Sequence, residues 1–206
     1  MITALFGGSF DPVHLGHINA VRSLLESEIS PDRVIIMPAF VNPFKAGINA
    51  ENRADCGQRL EMCRLAFEKL PRCEVSDYEI KKGNISYTSD TLRYLKSSYP
   101  DDELVLTVGS DSLATLPAWN KADYIIKTAR IGAVSRSEEE SLKIESYSEA
   151  VKAMGGRVTI IKTCPFDISS TEIREKIVNN QDISCYVDEN VVQYIVSESI
   201  YKSGDK

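Results

Sequence analysis

The sequence predicts an α/β fold built on a parallel sheet, and three observations carry that prediction. Short apolar runs alternate with longer amphipathic ones along the whole chain. The short runs are continuous rather than alternating in polarity, as strands buried on both faces are. A glycine pair, Gly7-Gly8, stands between the first short run and the first long one. There a strand must turn into a helix.

The strand candidates are residues 3–6, 34–37, 104–108, 131–134 and 158–162, each bounded by Gly, Pro or polar residues. A further short strand is expected near 75–80. Helices are expected over 16–28, 56–69, 89–98, 121–128, 146–154, 171–178 and 189–199. Asp55 and Ser169 are placed to cap two of them, and Ser169 with Glu172 fits a capping box. Strand–helix alternation implies right-handed crossovers and a Rossmann-like, doubly wound sheet. In such sheets ligands bind beyond the carboxyl ends of the strands. Residues 1–206 read as a single domain, with 181–206 as a small helical C-terminal appendage.

Composition narrows the function classes. The chain has 206 residues and a net charge of -6, with no basic run denser than Lys81-Lys82. Its isoelectric point is about 5.1. Nucleic acid is therefore not an expected partner. The five cysteines, Cys56, Cys63, Cys73, Cys164 and Cys185, are odd in number and contain no C-x-x-C. They read as reduced packing residues rather than a disulfide framework or zinc cluster. The N-terminus lacks a basic and apolar leader, and no run is long enough to span a membrane. A cytoplasmic protein is expected.

The segment from Gly7 to His17 reads GGSFDPVHLGH. Its glycines allow a tight turn and close backbone approach to a ligand. The following helix N-terminus offers unpaired N–H donors and positive dipole, which suit phosphate. His14 and His17 are three residues apart, so on a helical turn they share a face. Gly16 between them leaves room for a bulky anion. These are the only two histidines of the chain. Neither G-x-G-x-x-G nor G-x-x-x-x-G-K-[ST] occurs, which removes the dinucleotide fingerprint and the P-loop. Near the other end, Ile168-Ser169-Ser170-Thr171-Glu172-Ile173-Arg174 follows a strand and opens another helix. Its hydroxyls and N–H groups can cradle phosphate, and Arg174 adds a permanent fork of donors. Read alone, it is better taken as a capped helix with a surface arginine.

Taken together, the two segments resemble the H-x-G-H and I-S-S-T-x-I-R motifs of the nucleotidyltransferase superfamily. The resemblance implies that Gly8, Ser9, Phe10 and Gly16 surround ATP, and that His14 and His17 contact its phosphates. It also implies that Ser169, Ser170, Thr171 and Arg174 grip the β- and γ-phosphates. Three further segments narrow the resemblance to nicotinate-nucleotide adenylyltransferases. They are Ser86-Tyr87-Thr88-Ser89-Asp90-Thr91-Leu92, Val108-Gly109-Ser110-Asp111-Ser112-Leu113, and Trp119. Pro38 through Lys45 resembles that family's P-x-x-x-P-P-H-K loop, with Asn42 and Phe44 in place of its proline and histidine. The implied partners are ATP and nicotinate mononucleotide, and the implied pathway is NAD biosynthesis.

Residue chemistry agrees with that implication. Trp119, the only tryptophan, can stack on a cationic pyridinium ring. Thr88 stands at a predicted helix start, where free N–H groups favour a carboxylate. Asp111 lies just past a strand end and can accept from ribose hydroxyls. Lys45 sits in a loop that can close over phosphates. A phosphate monoester has a second pKa of about 6, so the acceptor arrives ionised and needs no general base. The expected reaction is in-line attack on the α-phosphorus, with His14, His17, Lys45 and Arg174 supplying donors or positive charge. Mg²⁺ is expected to travel with the ATP phosphates, with no metal-binding residues of the chain's own. Other adenylyl- and cytidylyltransferases, class I aminoacyl-tRNA synthetases and a non-catalytic nucleotide sensor are the rival readings. A homo-oligomer is left open.

Overall fold

The computed structural model describes residues 1–41, 43 and 53–201. Lys45, Asn42 and Phe44, singled out above, lie outside the described residues. Six strands form one sheet: β1 (Ile2–Gly8), β2 (Arg33–Pro38), β3 (Cys73–Val75), β4 (Glu103–Gly109), β5 (Ala129–Ser135) and β6 (Val158–Lys162). Every pairing is parallel, and the spatial order is β3-β2-β1-β4-β5-β6. The order reverses between β1 and β4, the first and fourth strands of the chain. Such a switch point opens a crevice at the carboxyl ends of its strands.

Helices cover both faces: α1 (Leu15–Glu26), α2 (Cys56–Phe67), α3 (Tyr78–Lys82), α4 (Thr88–Ser98), α5 (Ser110–Thr115), α6 (Ala122–Thr128), α7 (Glu138–Ala153), α8 (Ser170–Val178) and α9 (Glu189–Ser197). The two-residue period of the strands sends alternate side chains to opposite faces. Ala4, Phe6, Val34, Ile36 and Val105 join α1 and α2 in one core. Leu5, Ile35, Met37, Leu104 and Leu106 join α4 and α6 in the other. The C-terminal helical segment is seated against the first face. Ile183, Val187, Val191, Ile195, Ile200 and Tyr201 belong to the same cluster as Phe6 and Phe67.

Two expected caps are present. The Asp55 carboxylate accepts from the Gln58 N–H at 2.8 Å. The Ser169 hydroxyl accepts from the Glu172 N–H at 3.2 Å, and the Glu172 carboxylate accepts from the Ser169 N–H at 2.8 Å. Two expectations need correction. The strand sought near 75–80 is Cys73–Val75, and Tyr78–Lys82 is a helix closed by Gly83 in the left-handed region. Helix α7 begins at Glu138, far ahead of the residue 146 expected, because Ser137 caps it and three glutamates fill its first turn. Those acidic residues complement the helix dipole but carry no apolar period for a sequence reading to find.

Candidate active site

Both glycine-rich and serine-rich motifs open at the carboxyl edge of the sheet. There a cleft of about 700 Å³ runs across the switch point between β1 and β4. Gly8, His14, Gly16, His17, Thr88, Asp111, Trp119, Ser169 and Ser170 all line it. Residues separated by most of the chain length therefore meet in one cavity. Ser9, Phe10, Thr171 and Arg174 are not part of the lining.

The first motif is held by packing on its far side. Phe10 is 1% exposed and takes a positive φ of 49°. Its ring lies 5.1 Å from His17 and 6.4 Å from Phe67, in edge-on contacts. A Cβ on Gly8 would stand 2.9 Å from the Phe10 ring, so glycine there makes room for Phe10. A Cβ on Gly16 would stand 2.9 Å from Phe166 and 3.0 Å from the His14 ring. The space beside Gly16 thus belongs to these two rings, which stack at 6.1 Å and 13°.

The two histidines are held by different contacts. The His14 N–H donates to His17 Nδ1 at 3.2 Å, which leaves the proton of a neutral His17 on Nε2. The two rings lie 3.8 Å apart. Burial lowers the His14 pKa to about 4, with Arg136 adding to the effect. At neutral pH His14 is therefore an uncharged ring. Its Nδ1 is buried with no hydrogen-bond partner among the described residues. A buried polar atom left this way is costly, and a ligand oxygen or N–H would satisfy it.

The second motif is tied to the first. The Ser170 hydroxyl donates to the Pro12 carbonyl at 2.9 Å. Arg174 donates to the Asp11 carbonyl at 2.6 Å and to the Thr171 hydroxyl at 3.1 Å. The hydroxyls of Ser169, Ser170 and Thr171 thus all have protein partners, and the Glu172 and Ile173 N–H groups donate to Ser169, which leaves the N–H groups of Ser170 and Thr171 as the motif's open donors among the described residues.

Elsewhere in the lining, Thr88 is the first residue of α4. Trp119 is partly buried, and its indole N–H donates to the Thr115 hydroxyl at 3.2 Å. Asp111 is exposed, in the first turn of α5.

Among the lining residues that escaped the sequence reading are Glu79, Arg136 and Phe166. Arg136 directly follows β5, so the rule that ligands sit beyond strand ends could have found it. Glu79 is 8% exposed and accepts from the Thr91 hydroxyl, and burial pushes its carboxyl pKa up. Phe166 lies in an irregular segment with no periodic signal. No group of three or more His, Cys, Asp or Glu side chains converges on a metal-sized site among the described residues.

A switch-point crevice flanked by two helix N-termini defines a nucleotide-handling α/β protein, and the chain belongs to the cytidylyltransferase-like family, whose model matches residues 5–176. Its similarity is specific within that family. A probable nicotinate-nucleotide adenylyltransferase of Gemmatimonas aurantiaca is 33% identical over 98% of this chain and 93% of its own. One from Caldicellulosiruptor bescii is 35% identical over 98% and 100%. Among solved structures, the Plasmodium falciparum nicotinic acid mononucleotide adenylyltransferase complexed with APC superposes with a TM-score of 0.75. It is 16% identical, and the match covers 97% of this chain and 96% of that one. The same enzyme complexed with NaAD also gives 0.75, at 18% identity and 97% coverage of both chains. Among the described residues no helix is long and apolar enough to cross a membrane.

Proposed function

We infer that this chain transfers AMP from ATP to nicotinate mononucleotide, releasing pyrophosphate and forming nicotinate adenine dinucleotide in NAD biosynthesis. The observation that carries the reading is one cleft lined by the histidine motif, the N-terminus of α8 and the Thr88–Trp119 pair. The full-length similarity to adenylyltransferases of this acceptor supports it.

In the reading we propose, ATP lies with its phosphates between the starts of α1 and α8. Their first N–H groups and dipoles meet the negative charge. His17 donates through Nε2–H to an oxygen of the α-phosphoryl, where charge develops as the bond to pyrophosphate breaks. His14, neutral in the unliganded cleft, acts as a hydrogen-bonding ring, and a phosphate beside it would favour its protonation. Lys45 and Arg174 add cationic charge toward the leaving pyrophosphate, and Arg136 stands beside His14 for the same work. Asp111 accepts from ATP ribose hydroxyls.

The acceptor sits at the other end. Its pyridinium stacks on Trp119, and its carboxylate takes N–H donors at the start of α4. Its phosphate oxygen attacks the α-phosphorus in line, with no base and no covalent enzyme intermediate. Among the described residues no cluster of metal-ligating side chains forms; in this reading Mg²⁺ would be held by the phosphates and would supply charge neutralisation there. We place the enzyme in the cytoplasm.

The test is direct. The purified chain with ATP, Mg²⁺ and nicotinate mononucleotide should yield pyrophosphate and nicotinate adenine dinucleotide in equal amounts. ATP consumption without the dinucleotide would refute the reading. With an α-phosphorothioate of ATP that is chiral at phosphorus, retention of configuration would rule out a single displacement.

A further inference from the structure

We propose that Tyr201 is a positioning residue for the ATP site, acting through the buried carboxylate of Asp11 to set Arg174. The proposal rests on the reading that Arg174 grips ATP phosphates. Asp11 lies in the first motif and is 4% exposed. A carboxylate so buried must have its lone pairs met. Its Oδ1 accepts from the Ala54 N–H at 3.1 Å and from the Tyr201 hydroxyl at 2.9 Å, a bond that spans 190 positions of sequence. Its Oδ2 faces Arg53 at 3.4 Å and Arg174 at 3.7 Å. Its main-chain carbonyl accepts from Arg174 at 2.6 Å.

One residue thus joins both phosphate motifs, the start of α2 and the end of the C-terminal segment. Tyr201 is itself 4% exposed, and burial first, then the Asp11 charge, raise its pKa. It is therefore a fixed donor. Two neutral donors on Oδ1 leave the charge of Oδ2 shared between two arginines at longer range. Without the phenol hydroxyl, Oδ1 is one donor short. The nearest strong donors are then Arg53 and Arg174. The carboxylate turns toward them and draws Arg174 away from the nucleotide.

Tyr201→Phe deletes one oxygen and keeps the ring. We expect ATP affinity, measured by calorimetry without acceptor, to fall about threefold to tenfold, the scale of one hydrogen bond to a charged group acting at one remove. The acceptor KM and the kcat at saturating ATP should stay within about twofold of wild type. Arg53→Gln removes a different partner of the same carboxylate and should weaken ATP in the same way. Tyr201→Phe combined with Arg174→Ala should bind ATP no more weakly than Arg174→Ala alone, since the two act through one group. Ile195→Val loosens the same core and should lower the unfolding midpoint without weakening ATP.

Unchanged ATP affinity in Tyr201→Phe, an additive double variant, or equal weakening in Ile195→Val would each overturn the proposal. Arg174→Ala with wild-type ATP affinity would instead overturn the phosphate reading of Arg174, and the proposal with it. Formation of the dinucleotide by wild type is read separately in the same preparations.

Discussion

Replacing His14 with asparagine should remove a pH dependence of stability that the wild-type chain carries. His14 is 8% exposed, and burial, reinforced by Arg136, lowers its pKa from 6.5 to about 4. The unfolded chain takes up a proton on this ring below about pH 6.5, whereas the folded chain does so only below about pH 4. Between those values the unfolded state binds more protons, so stability falls as pH falls through the window. At about pH 5 the difference is about 2 kcal/mol, and near pH 7.5 it is close to zero. Asparagine does not titrate and is a good residue for the N-cap position that His14 holds. Urea unfolding of both proteins at the two pH values gives the comparison. Wild type should lose about 2 kcal/mol more than the variant on acidification. Groups that titrate in both proteins, such as the buried Glu79, cancel in the difference. Equal losses would refute the claim that His14 is buried as a neutral ring.

Two further outcomes follow from the site. His17→Ala should lower kcat by about two to three orders of magnitude while costing about 1–2 kcal/mol of stability, since the half-buried ring accepts the His14 N–H at 3.2 Å and meets the Phe10 ring edge-on at 5.1 Å. Steady-state kinetics beside thermal unfolding checks both, and a near-normal kcat would remove His17 from the phosphate chemistry. Trp119→Ala should raise the acceptor KM about tenfold and leave the ATP KM alone, because the proposal assigns the indole to the acceptor's pyridinium and not to the nucleotide. Equal effects on both substrates would mean that Trp119 only supports the wall.

The sheet was legible because buried parallel strands write themselves as apolar runs. Val158–Lys162 begins and ends where expected, and β1, β2, β4 and β5 extend by a residue or two beyond their apolar centres. Those extra residues pair through the backbone, which leaves no side-chain signal. The glycine-flanked histidines and the Ser169 cap were legible because turns and caps demand particular residue types. What could not be read is set by tertiary contact. Helix α5 spans only Ser110–Thr115, too short to show a period. Gly16 was expected to make room for an anion, yet its missing Cβ serves Phe166 and His14, which only the fold brings together. Asp11 sits inside the most conspicuous motif, but its partners Ala54 and Tyr201 lie 43 and 190 positions away. Lys45 keeps the role its resemblance implies, as a proposal, since it lies outside the described residues.

The central claim is that the acceptor carries a carboxylate on its pyridine ring. A comparison of kcat/KM for nicotinate mononucleotide and nicotinamide mononucleotide, with saturating ATP and Mg²⁺, tests it most directly. Donors at the start of α4 that pair with a carboxylate should favour the nicotinate form by about a hundredfold or more. Equal use of the two would keep the adenylyl transfer and contradict the carboxylate pocket at Thr88 and Trp119.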